Sequence, residues 1–178
     1  MKCLSLHQPW AQLLATGAKS VETRGWPLRY RGPLLVHAAR TWNADLAFIA
    51  AGQPFRAALE QAGIVFEPTE AAAKRGWGLP FGAIVGRVDV VNVVHTDNVA
   101  DGLGYHDGPY HLTPDGILFV GEIERAFGNF DPRRWAFLCA NAVRFAKPVP
   151  CRGHQGLFEV PDEVVRGANL LIGSEDEG

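Results

Sequence analysis

The apolar positions change period several times along the chain, and each change marks an element. "CLSLH" alternates in the manner of a strand. From Gln8-Pro9 the spacing of Trp10, Leu13 and Leu14 switches to that of a helix, which Gly17 ends. "SVETR" reads as a short strand and "GPLLVHAA" as a buried one opened by Gly32-Pro33. Asn43 or Asp45 caps a helix running through Ala51, and a second helix runs from Pro54 to Ala62. Residues 64–80 have no assignable period. Phe81 to His95 is long and valine-rich, and is expected to be a central strand. Thr96 to Asp115, crowded with Gly, Asp, His and Pro, reads as a long surface loop. "GILFV", "WAFLC", "AVRFA" and "LFEVP" follow as strands, and "PDEVVRGANLL" as a closing helix. Five or more strands with early helices and no regular alternation predict an α+β fold, a small mixed β-barrel with flanking helices.

Composition fits one domain, residues 1–172, followed by an acidic disordered tail, 173–178. Of 178 residues, 47% are hydrophobic and 10% aromatic, enough for a sizeable core. His7 and Gln8 interrupt the start where a secretory leader needs an apolar run, and no stretch is long and apolar enough to span a membrane, so a soluble, cytoplasmic protein is expected. Cys3, Cys139 and Cys151 are an odd count at wide spacing and predict free thiols. Cys151 and His154 have half the spacing of a zinc site with no second half, and His95, His106 and His111 are irregularly spaced, so neither a metal nor another cofactor is expected. Phosphate loops, dinucleotide fingerprints and serine elbows are absent.

The formal net charge of -2 conceals a segregation. Lys19, Arg24, Arg29, Arg31 and Arg40 face Glu22 alone within one segment, and Arg133 to Arg152 holds no acid. Asp89 to Asp131 is acidic, with Arg125 its one base. If the two basic segments lie side by side, they form a face suited to a polyanion.

The candidate chemistry begins at Lys19, Glu22 and Arg24. Glu22 and Arg24 share one face of a strand, Val21 and Thr23 the other, and Lys19 sits in the preceding turn, free to bend toward Glu22. The alternatives are a site at one mouth of the sheet or an exposed ion-pair cluster. His7, Gln8, Trp10 and His37 are expected near that mouth, with Gln8 and Trp10 suited to reading and stacking a base. "CRGHQG" adds Arg152 and Gln155 for phosphate or base contacts, beside two glycines that admit a close ligand.

Taken together, "CLSLHQPWAQLLATGAKSVETR", "YRGPLLVHAA", the long strand "FGAIVGRVDVV" and the late "PVPCRGHQGLFEVP" resemble the ASCH domain, the activating-signal-cointegrator homology family of the PUA-like superfamily. Its Gly-x-Lys-x-x-Glu-x-Arg signature falls on Gly17, Lys19, Glu22 and Arg24, and the resemblance covers nearly the whole chain. It implies a small β-barrel whose cleft, lined by the signature, takes nucleic acid or a nucleotide; RNA is expected before DNA, and the basic segment adds Arg29 and Arg31 to the expected contacts. Some members are amidohydrolases that remove the acetyl group of N4-acetylcytidine with a lysine, a threonine and a glutamate. Lys19 matches that lysine, but Glu22 stands in place of the threonine, and the later glutamate has no assigned counterpart. Three classes follow: a nucleic-acid-binding domain; a hydrolase of a modified nucleoside or of RNA, with Lys19, Glu22 and Arg24 as catalytic groups; or a protein-binding adaptor.

Overall fold

The computed structural model describes residues 1–102 and 108–166. In chain order the elements are β1 (Lys2–Leu6), α1 (Trp10–Thr16), β2 (Val21–Arg24), β3 (Gly32–Ala38), α2 (Ala44–Ala51), α3 (Phe55–Gln61), α4 (Glu70–Lys74), β4 (Ala83–His95), β5 (Val99–Asp101), β6 (Tyr110–Leu112), β7 (Leu118–Val120), α5 (Glu122–Ala126), β8 (Trp135–Pro150), β9 (Leu157–Glu159) and α6 (Asp162–Val165). The class is mixed α+β, strands with flanking helices. The chain divides into two compact units. One comprises Met1–Ala18, Pro33–Val88 and the chain from Asn141 on; the other comprises Lys19–Gly32 and Asp89–Ala140.

In the first unit, β1 runs parallel to β3, pairing Ser5 with His37 and Leu6 with Ala38, and antiparallel to β9. Cys3, Leu35, Ile84, Phe145 and Val160 form a buried cluster in this unit. Helix α1 follows β1 at once, and its Ala11 to Ala15 are all buried. Gly17 stops it in the left-handed conformation at φ 78°, which glycine adopts without strain, and its amide donates back to the Leu14 carbonyl. Asn43 caps α2 as expected, its side chain accepting the Leu46 amide.

The stretch without assignable period contains α4, capped by Thr69, and a tight turn around Trp77. Ring contacts organise this segment: Trp77 lies 4.6 Å from Phe66 and 6.2 Å from Trp42, between centroids. Its indole donates to the Glu67 carbonyl, and that of Trp42 to the Ala73 carbonyl. Such contacts leave no periodic trace in the sequence.

In the second unit, β2 pairs antiparallel with β8, Glu22 opposite Phe137 and Arg24 opposite Trp135. Val21, Val94, Leu118, Val120, Ala136 and Leu138 form its core. The loop expected over Thr96 to Asp115 is corrected in part: β5 and β6 flank β7 in a three-stranded sheet, and the intervening 103–107 lie outside the described residues. "WAFLC" and "AVRFA" are one strand, β8, which runs on through Asn141 at φ 52°, a kink that asparagine tolerates better than most residues. The long strand β4 has a neighbour on each side, β8 and β3, as expected of a central strand.

Cys3, Cys139 and Cys151 are free thiols, and burial pushes Cys3 and Cys139 up to about 12. Among the described residues no helix is long and apolar enough to cross a membrane. No group of three His, Cys, Asp or Glu residues there is arranged to hold a metal ion. The acidic tail and the closing helix beyond residue 166 lie outside the described residues.

Candidate functional site

Lys19, Glu22 and Arg24 meet at the start of β2. Lys19 is 1% exposed, and its ammonium donates to the Val21 carbonyl. Nζ lies 3.5 Å from Glu22 Oε2 and 4.0 Å from Glu124 Oε1. Arg24 Nε lies 2.9 Å from Glu22 Oε1. Two cations thus flank the Glu22 carboxylate, Lys19 buried and Arg24 with 25% of its side chain exposed. The cluster is therefore buried at Lys19 and open at Arg24, rather than solvated throughout.

Glu124, on α5, is the residue that sequence reasoning missed. Only 2% exposed, it accepts the Ser20 amide at 2.9 Å on Oε2 and the Val21 amide at 2.8 Å on Oε1. A carboxylate thereby clamps the two backbone amides at which β2 begins, while counterbalancing Lys19. Burial raises the Glu124 pKa above 4.5, and Lys19 and the two amides pull against that rise. The hydropathy of "GEIERA" points the wrong way, because Ile123 is 63% exposed while its neighbour Glu124 is enclosed.

Thr23 faces away from Glu22, as strand alternation requires. Its hydroxyl accepts the Asn129 amide at 3.1 Å, and its carbonyl accepts Arg134 Nη2 at 3.4 Å. Arg29 and Arg31 are exposed in the same unit, Arg31 donating to the Leu28 and Tyr30 carbonyls and to Asn92. Lys19 is surrounded by acceptors, Glu124 accepts two backbone amides, and Arg24 keeps a quarter of its side chain exposed.

The remaining candidates belong to the other unit. Gln8 is fully buried: Nε2 donates to the Pro80 carbonyl at 3.0 Å and Oε1 accepts the Gln12 amide at 3.0 Å, which holds the first turn of α1. Trp10 packs edge-on against Phe55. His37 is buried between Ser5 and the Cys151 carbonyl. His7, Arg152 and Gln155 are exposed.

The ASCH domain family matches residues 4–148 of this sequence. The chain belongs to that family. Activating signal cointegrator 1 of Mus musculus and of Homo sapiens are each 56% identical to it over 36 residues, a segment that is 20% of this ASCH chain and 6% of theirs. The chain therefore spans a small part of those relatives. Among solved structures, the ASCH protein of Zymomonas mobilis is similar at 14% identity, covering 93% of this chain and 90% of that one, with a TM-score of 0.46.

Proposed function

We propose that this ASCH domain binds nucleic acid, single-stranded RNA in the first place, and holds a nucleotide against the Arg24 edge of β2. The observation that carries the reading is the internal pairing of the cluster around Glu22. Lys19 and Glu124 spend their polar atoms on each other, on Glu22 and on the backbone of Ser20 and Val21. Arg24 is ion-paired to Glu22 and keeps a quarter of its side chain exposed. A braced guanidinium offers paired donors to a phosphate or a base edge and loses little freedom on binding. Arg29 and Arg31, exposed on the same segment, add the counter-charge that a phosphodiester backbone requires.

Hydrolysis by the route of the related amidohydrolases fits less well. The carboxylate of Glu22 replaces the hydroxyl nucleophile, and the Thr23 hydroxyl is bonded to Asn129 on the opposite face.

Anisotropy titrations of short single-stranded RNA and DNA at several salt concentrations test the proposal. Binding should weaken steeply with salt, and Arg24→Ala should lose about tenfold in affinity with a shallower salt slope. Salt-independent binding, or none, favours the adaptor reading. Turnover of N4-acetylcytidine or RNA by the wild type that disappears in Glu22→Gln favours the hydrolase.

A further inference from the structure

β1 and β3 are parallel neighbours, and their register sets Ser5 beside His37. Ser5 Oγ lies 3.0 Å from His37 Nδ1, and His37 Nε2 lies 3.0 Å from the Cys151 carbonyl oxygen. A carbonyl oxygen only accepts, so Nε2 carries a proton. Burial lowers the His37 pKa, with His154 and Arg40 acting in the same direction and the Cys151 carbonyl opposing them. The ring is accordingly neutral at pH 7, Nδ1 is its bare nitrogen, and the Ser5 hydroxyl donates to it.

The surroundings lock this arrangement. His37 is 2% exposed and meets the Phe158 ring edge-on, with centroids 6.2 Å apart. Gly153 crosses so closely that a Cβ there would sit 2.7 Å from Nδ1 and 2.8 Å from Ser5 Oγ. Only glycine leaves the pair intact. Ser5 itself is partly exposed, and Arg152, His154 and Gln155 are exposed on the same short segment as Gly153. His37 is thus fixed in the interior, and Ser5 is the less buried member of the pair.

We propose that Ser5 is a nucleophilic serine activated by His37, an acyl-transfer site for small carboxylic esters that is independent of nucleic-acid binding. Oγ attacks the ester carbonyl carbon as its proton passes to Nδ1, and Nε2–H stays on the Cys151 carbonyl, which steadies the imidazolium. The tetrahedral intermediate expels the alkoxide, which leaves as an alcohol with the proton from Nδ1. Water, giving a proton to the same nitrogen, then cleaves the Ser5 ester, releasing the carboxylic acid and restoring the Ser5 hydroxyl.

A fluorophosphonate probe tests the full chain, because Oγ displaces fluoride from phosphorus with the same proton transfer. Peptide mapping should find the adduct on Ser5 of the wild type and none in Ser5→Ala. His37→Gln can still donate to the Cys151 carbonyl but has no basic nitrogen; it should react about a hundredfold more slowly while still folding. If that variant does not fold, the wild-type rate decides, since it should rise with pH through a midpoint below 6.5, the direction of the His37 shift. No adduct on wild-type Ser5 in excess probe, undiminished labelling of a folded His37→Gln, or a rate without that midpoint would overturn the proposal.

Discussion

Each of the two units buries a polar centre, and the two are held by different means. At the start of β2 the groups are ionic: Lys19, Glu22, Arg24 and Glu124 supply two positive and two negative charges, and the deepest carboxylate also takes two backbone amides. Around His37 the groups are neutral: a hydroxyl, an imidazole and a carbonyl in one chain of hydrogen bonds. Desolvating an ion costs several kcal/mol, offset only while every partner stays in place, whereas a neutral group left without its partner costs about 1–3 kcal/mol. The ionic centre should therefore be the more brittle, and its rigidity aims Arg24. The neutral centre tolerates loss of a partner better, but protonating His37 there would bury a charge, which is why its pKa is lowered.

Glu124→Gln should have the largest effect. The amide supplies one oxygen where the carboxylate supplied two, leaves the Ser20 or Val21 amide facing an NH2 group, and removes a counter-charge from Lys19. A loss of about 3–5 kcal/mol is expected in urea denaturation. A loss below about 1 kcal/mol would erase the distinction between the two centres. Next comes Gly153→Ala, which drives a methyl against His37 and Ser5 and should cost about 1–3 kcal/mol by overpacking. A neutral result would mean that the Gly153 backbone yields freely.

The pH dependences should run in opposite directions. As pH rises above 4.5 the unfolded chain ionises Glu124 before the native state does, so this residue's contribution to stability declines until the raised native pKa is passed. As pH falls below 6.5 the unfolded chain protonates His37 first, so stability declines on the acid side until the lowered native pKa is passed. Denaturation between pH 4 and 8 should show the first slope missing from Glu124→Gln and the second missing from His37→Gln. Slopes of the same sign in both comparisons would contradict the assigned shifts. Arg24→Ala should have the smallest effect on stability, about 1 kcal/mol or less because the guanidinium is partly exposed, while its effect on RNA affinity remains about tenfold.

Much of the architecture is legible before any coordinates. Gly17 announces the end of α1, Asn43 the start of α2, and the valine run the central strand β4. Period and cap chemistry are local properties, carried by residues close together in the chain. The segments that misled are those shaped from a distance. "WAFLC" and "AVRFA" read as two strands, yet β8 runs from one into the other through Asn141 despite its left-handed φ. The stretch over 64–80 takes its form from indole and phenyl rings brought together across the fold, and β5 and β6 exist only because β7 lies between them.

The same division governs the polar centres. By itself the sequence determined that Lys19, Glu22 and Arg24 stand together at the head of one strand and that Thr23 turns the other way, since three to six residues of extended chain leave few alternatives. Only the tertiary structure decided that Glu124, more than a hundred positions later, closes that cluster, and that Ser5, His37 and Gly153 converge on one imidazole. Hydropathy assigns Glu124 to solvent and Ile123 to the core. The fold reverses both, because a carboxylate bonded to two amides and facing an ammonium can be buried where an isolated one cannot.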